Sequence, residues 1–238
     1  MFRDRITDDS ILQLIGIYDV FSAKVAAEIF EGVFCSGFSF AASSYCLLDI
    51  GFVNWRDISD FATKISACDT FHPQSVDVDD GFGDRLVAAN MVKNLEANGL
   101  SAVMEEQRRP RKCGHFEGKE LLSVDEYLVK LKHVLELTKS IFVIARTDTV
   151  NWKEGLDFAV CYADTGADSM MVEAIKDLRI VEELSSKVKM PVMVNQLSGG
   201  KSPNWRLNRL KDAGVSIVIY STPCLFVAST QWNFILMR

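Results

Sequence analysis

The chain has 238 residues, 48% hydrophobic and 24% charged, the balance of a soluble globular protein with enough length for one large core. Its 26 Lys and Arg against 32 Asp and Glu give a net charge of −6, which argues against a general affinity for nucleic acid or for an anionic membrane. No apolar run approaches membrane-spanning length, and Met1 to Ser10 lacks the apolar stretch of a secretion signal.

Eight short β-rich runs recur with room for a helix between them: Ile15–Val20, Gly32–Cys35, Ser75–Val78, Ala102–Met104, Ile141–Ala145, Ser169–Val172, Pro191–Val194 and Ser216–Tyr220. Several are apolar without alternation, as in parallel strands covered on both faces. Between them, Asp84 can cap a helix whose apolar positions are Val87, Ala88, Met91, Val92 and Leu95, with Gly99 at its end. Ser123 and Glu126 have capping-box spacing ahead of Tyr127, Leu128, Leu131, Val134 and Leu135, and Leu156 to Tyr162 precedes a break at Gly166. No linker or repeat divides the chain. The pattern predicts an α/β fold in one domain over residues 1–238, a (β/α)8 barrel of the TIM type, with a doubly wound open sheet as the alternative.

In a barrel the carboxyl ends of the strands converge, so polar residues just past the predicted strands become neighbours: Asp19, Ser36, Asp77, Asp79, Glu105, Arg146, Glu173 and Asn195. Asp77 and Asp79 stand two apart at one strand end, with Asp49 and Glu105 at other junctions. Carboxylates this dense repel unless a cation compensates, and oxygen-only ligation suits Mg²⁺ or Mn²⁺. The competing reading is a solvated turn with Asp80 or Asp84 as a helix cap.

Cys113 lies among Arg111, Lys112 and His115, where cations stabilise a thiolate and an imidazole can move a proton; the same cations could bind a substrate carboxylate. Arg146 reads either as a fixed fork for a carboxylate in the barrel mouth or as a structural ion pair with Glu173. Gly200-Lys201-Ser202 is not a phosphate loop, because the first glycine of that pattern falls at Asn195. The six cysteines (Cys35, Cys46, Cys68, Cys113, Cys161, Cys224) show no C-x-x-C pair, so free thiols in a reducing compartment are expected, the cytoplasm or an organelle matrix.

The ordered motifs Ser36-Gly37, Asp77-x-Asp79-x-Gly-Phe-Gly, Glu105-x-Gln107 running to Lys112-Cys113-Gly114-His115 and Gly118-Lys119, then Ala145-Arg146-Thr147-Asp148, resemble the isocitrate lyase/phosphoenolpyruvate mutase superfamily from about Ile15 to Val227. The resemblance implies a Mg²⁺-dependent (β/α)8 barrel acting next to a 2-oxo or 2-hydroxy carboxylate. It implies Asp77 as the direct metal ligand, with Asp49, Asp79 and Glu105 holding its waters. Ser36 and Gly37 would bind the substrate carboxylate through backbone donors, Arg146 would contact substrate, and Glu173 and Asn195 would line the pocket. Cys113 would be the general acid of a loop that also carries Lys112 and His115.

Within the family, Lys-Cys-Gly-His goes with carbon–carbon lyases of the 2-methylisocitrate, 2,3-dimethylmalate and petal-death types, a branch that includes oxaloacetate hydrolases, whereas phosphonopyruvate-directed members generally lack the Cys. The expected activity is therefore cleavage of a 2-hydroxy di- or tricarboxylate. The alternatives are oxaloacetate hydrolysis, phosphonopyruvate or phosphoenolpyruvate chemistry, or an impaired barrel that still binds metal. The expected partner besides the small carboxylate is another copy of the chain, as dimer or tetramer. Relatives continue beyond the residue matching Tyr220 through a last helix and a segment exchanged between subunits, and both are expected to be missing or altered here.

Overall fold

In a computed structural model that describes residues 2–7, 9–68, 72–107, 120–149 and 151–236, eight parallel strands close in sequence order into a barrel. They are β1 (Leu12–Ile17), β2 (Gly32–Cys35), β3 (Gln74–Asp77), β4 (Ala102–Glu106), β5 (Phe142–Thr147), β6 (Ser169–Val172), β7 (Val192–Asn195) and β8 (Val215–Tyr220), and β8 pairs back onto β1. The helices are α1 (Val20–Ala26), α2 (Gly37–Tyr45), α3 (Trp55–Cys68), α4 (Arg85–Ala97), α5 (Val124–Leu137), α6 (Trp152–Ala163), α7 (Leu178–Lys187), α8 (Leu207–Asp212) and α9 (Pro223–Leu236). Among the described residues no helix is long and apolar enough to cross a membrane.

The helix starts follow from side chains that satisfy otherwise unbonded amides. Asp84 accepts from Leu86 N–H and Val87 N–H, and Ser123 and Glu126 close the capping box ahead of α5. Asp19 and Ser22 form another box, which explains why β1 lies earlier than the predicted Ile15–Val20: the chain has already turned into α1 at Val20. A helix, α9 (Pro223–Leu236), follows β8.

Side-chain alternation along the strands sorts the core into two layers. One, inside the barrel, contains Leu12, Leu14, Phe34, Ala102, Met104, Phe142, Ile144, Met171, Met193, Ile217 and Ile219. The other, between strands and helices, contains Ile15, Ile17, Val33, Val76, Val103, Val143, Ala145, Val172, Val194 and Val218. Gly16 is needed where β1 meets the turn after β8, since a Cβ there would stand 1.9 Å from the Ser221 carbonyl oxygen.

Candidate active site

Following the inner layer toward the carboxyl ends of the strands, the apolar residues give way to polar ones around a cavity of about 430 Å³. Its floor is Phe34, Met104 and Ile219, its polar wall includes Ser36, Asp49, Asp77, Glu106, Arg146, Glu173, Asn195 and Ser221, and Phe38 and Phe226 flank the opening. Those two rings meet edge to face at 6.2 Å between centroids, so α9 forms part of the wall. Tyr45 does not: it is exposed and donates to Asp57.

Asp77, Asp79 and Glu106 bring carboxylate oxygens within 4.8 Å of one another. The turn that carries the first two is strained, with positive φ at Asp79 (47°), Gly81 (76°) and Phe82 (59°). Such non-glycine conformations cost about 1–3 kcal/mol each, so the surroundings must enforce them. Asp79 N–H donates to Asp77 Oδ1 (3.1 Å), Phe82 N–H to Asp80 Oδ1 (2.9 Å), and Glu106 N–H to the Asp79 carbonyl (2.8 Å). Lys130 Nζ, buried beneath the turn, donates to the carbonyls of Asp80 (2.6 Å) and Gly83 (2.9 Å). At Gly81 a Cβ would meet Ala88 Cβ at 2.5 Å, so both its φ and the nearness of α4 demand glycine.

Glu105, expected to hold metal-bound water, is not in this group. On β4, Ala102 and Met104 face the barrel interior, so period-two alternation sends Glu106 to the mouth and Glu105 into the strand–helix layer. Both Glu105 carboxyl oxygens are buried there without a hydrogen bond among the described residues. Burial pushes its pKa up to about 7, against the pull of Lys130 and with the help of Asp80. Asp49 is half-buried and lines the same cavity as Asp77.

Arg146 is the electrostatic centre of the polar wall. Its Nε and one terminal nitrogen donate to the two oxygens of Asp148 (2.8 and 3.3 Å), its other terminal nitrogen pairs with Glu106, and Glu173 lies at 3.6 Å. Burial alone would lower the pKa of this guanidinium, but Asp148, Glu106, Glu173 and Asp77 more than reverse that and hold it well above its usual value. Of the two alternatives from sequence, the Glu173 ion pair is present, and the guanidinium fork is engaged by Asp148 and Glu106 of the protein. Glu173 Oε1 accepts from Ala174 N–H (2.9 Å) and Oε2 from Asn195 Nδ2 (3.2 Å); Ser221 Oγ in turn donates to Asn195 Oδ1 (3.0 Å).

Ser36 is the N-cap of α2, with Oγ accepting from Ser39 N–H (3.3 Å) and its carbonyl from Phe40 N–H (2.9 Å). The amides of Gly37 and Phe38 are the first-turn donors left for an anion. A Cβ on Gly37 would be 3.9 Å from Asp77 Oδ2, so this helix start adjoins the carboxylate group. Lys112, Cys113 and His115 lie outside the described residues. Glu106, Asp148, Ser221 and Phe226 were missed as site residues; for Glu106, counting by twos from Met104 would have found it.

The donor set is all carboxylate oxygen, and Asp49, Asp77, Asp79, Glu106, Asp148 and Glu173 outnumber the cations Arg146 and Lys201 around the cavity. A hard divalent cation fits both the oxygen chemistry and the charge excess. Fold and site together define a (β/α)8 barrel with a hard-cation donor group beside a cavity of substrate size. Residues 2–233 match the family described as phosphoenolpyruvate phosphomutase. The chain belongs to that family, within the phosphoenolpyruvate mutase/isocitrate lyase superfamily of enzymes.

Among its relatives, the 2-methylisocitrate lyase of Bacillus subtilis (strain 168) is 34% identical over 235 residues, covering 96% of this chain and 77% of that protein. The 2,3-dimethylmalate lyase of Eubacterium barkeri is 26% identical, covering 95% of this chain and 81% of that one. Among solved structures, oxaloacetate acetylhydrolase in complex with the inhibitor 3,3-difluorooxalacetate superposes with a TM-score of 0.95 at 27% identity, over 100% of this chain and 84% of that chain.

Proposed function

We propose that this enzyme is a Mg²⁺-dependent carbon–carbon lyase that cleaves a 2-hydroxy di- or tricarboxylate, of the 2-alkylmalate or 2-methylisocitrate type, into a 2-oxoacid and a carboxylate. The observation that carries this reading is the meeting of Asp77, Asp79 and Glu106 beside buried Arg146 in a cavity of about 430 Å³, in a chain whose curated relatives include named lyases. Asp77, Asp79 and Glu106 would hold the metal, with Asp49 at the cavity edge. When bound, Mg²⁺ supplies Lewis-acid stabilisation of negative charge on the substrate's oxygens.

Gly37 and Phe38 amides bind the carboxylate next to the 2-hydroxyl, and Arg146, held rigid by Asp148 and Glu106, presents fixed positive charge where charge develops. In the cleavage a general base takes the hydroxyl proton, the oxygen becomes the 2-oxo group, and the C2–C3 bond breaks with its electron pair on the departing carbon. That carbon then takes a proton from the Cys113 thiol. Phe38 and Phe226 keep the cavity mouth apolar, which suits an alkyl-substituted substrate. The apolar stripe Phe21, Val25 and Ile29, exposed on and just beyond α1, suits assembly as a homo-oligomer.

The test is a Mg²⁺-supplemented screen of 2-alkylmalates, 2-methylisocitrate, isocitrate and oxaloacetate for release of a 2-oxoacid or oxalate. Cleavage of a 2-hydroxy acid supports the lyase reading, and Cys113→Ser is expected to abolish turnover while leaving substrate protection against thermal unfolding; unaltered turnover removes the thiol from the mechanism. The second reading, oxaloacetate hydrolysis, is favoured by the close superposition on oxaloacetate acetylhydrolase, and oxalate release from oxaloacetate alone would select it.

A further inference from the structure

The charge pattern inside the cavity leaves one cation without a task. Among the described residues lining it, the basic side chains are Arg146 and Lys201. Arg146 already pairs with Asp148, Glu106 and Glu173, so its charge is offset by carboxylates of the protein itself. Lys201 has no hydrogen bond or ion pair among the described residues, and its compact ammonium carries three donors.

We propose that Lys201 is the specificity-determining cation that receives the second carboxylate of the substrate, the one on the carbon released by cleavage, and so makes the enzyme selective for dicarboxylates over 2-hydroxy monocarboxylates. This rests on the carboxylate-lyase reading and deepens it. The loop after β7 holds Lys201 in a tied turn: Gly200 N–H donates to the Leu197 carbonyl (2.9 Å), Gly199 takes a φ of 77°, and Gln196 Oε1 accepts from Trp205 N–H (2.6 Å). The same loop lines the cavity from Leu197 to Lys201, opposite in charge to the acidic group at Asp77 and Glu106. A dicarboxylate entering a site with this excess of carboxylates needs an uncommitted positive group at its far end, and electrostatic repulsion would otherwise exclude it. Lys201 is exposed on a loop, so its replacement leaves the barrel intact.

The test is equilibrium binding by calorimetry in Mg²⁺, using 2-methylmalate and 2-hydroxy-2-methylbutanoate, a pair that differs only by a carboxylate in place of a methyl group. Wild type is expected to prefer the dicarboxylate. Lys201→Met should weaken 2-methylmalate by about 10- to 100-fold, the range for loss of a charge-assisted hydrogen bond, and leave the monocarboxylate unchanged. Lys201→Arg should retain most of the preference. Equal weakening of both compounds, or of neither, overturns the assignment while the lyase reading stands. Failure of wild type to bind 2-methylmalate in Mg²⁺ overturns this assignment, whereas the lyase reading itself falls only if no 2-hydroxy acid of the screen is cleaved.

Discussion

The two ends of the barrel are built by the same strands and differ by two residues of advance along each. Inward positions run Ala102, Met104, Glu106 on β4; Phe142, Ile144, Arg146 on β5; and Ile217, Ile219 on β8, then Ser221 just past it. At the amino end the sequence is apolar and plugged, with the Phe2 ring 4.8 Å from Phe142 and both nearly fully buried. At the carboxyl end it is charged and open to a cavity. The contrast separates what holds the molecule together from what it acts with: hydrophobic burial can be dense where nothing must enter, whereas the carboxylates crowded at the mouth are offset by Arg146 and form a donor group that a hard cation fits.

The sharpest way to break this division is at the charged end. Asp77→Asn and Glu106→Gln should each lower kcat by about 100- to 1,000-fold, as expected when charge stabilisation worth several kcal/mol is lost, and weaken Mg²⁺ binding measured by calorimetry. Glu105→Gln, one residue away on the other face of β4, should leave Mg²⁺ affinity unchanged. Loss of metal binding in Glu105→Gln with retention in Glu106→Gln would reverse the assignment of the two faces.

At the plugged end the effect should fall on stability instead. Phe142→Ala removes a ring that packs against Phe2 and beneath Arg3, and is expected to cost about 3–5 kcal/mol in denaturant unfolding with kcat/KM of the folded fraction preserved. A smaller effect belongs to the layer between strands and helices. Because burial raises the Glu105 pKa to about 7, the folded protein holds that proton more tightly than the unfolded chain. Its contribution is therefore complete below the ordinary carboxylate pKa and lost as pH rises through about 7. Glu105→Gln should flatten that decline, so its stability relative to wild type rises between about pH 5 and about pH 8; a constant difference would mean the carboxyl stays charged throughout.

Most of the scaffold was legible because its signals are local. Asp84 and Ser123 mark helix starts by hydrogen bonds to amides two or three residues away, and unbroken apolar runs marked the strands. The site was half legible. Asp77, Asp79, Arg146, Glu173 and Asn195 converge as their strand-end positions predict, because closure of the barrel alone brings strand ends together. The face of each strand end was harder to read. Glu105 and Glu106 are chemically equivalent in sequence, and the choice between them depends on strand register against Met104. Asp148 as partner of Arg146, and Phe226 opposite Phe38, depend on contacts across the mouth that carry no pattern in the chain.

The smallest expected effect sharpens the comparison most cleanly. Arg3 donates from Nε to Asp168 Oδ1 (2.9 Å) and from one terminal nitrogen to Oδ2 (2.8 Å), while the other reaches the Ser140 carbonyl (2.6 Å) and the guanidinium sits 5.7 Å from the Phe142 ring centre. It clasps the amino-terminal segment over the plug. Its side chain is 44% exposed, so water screens the ion pair, and Arg3→Ala should cost only about 1 kcal/mol. Asp168 also accepts from Val143 N–H (2.9 Å), so Asp168→Ala should cost more, because it additionally leaves a half-buried strand amide without its partner. If the two ends are independent, both variants lower the unfolding midpoint and neither changes KM. A shifted KM in Arg3→Ala would mean that strain at the plug is transmitted along β5 from Phe142 to Arg146, and the division between the two ends would fail on the strand they share.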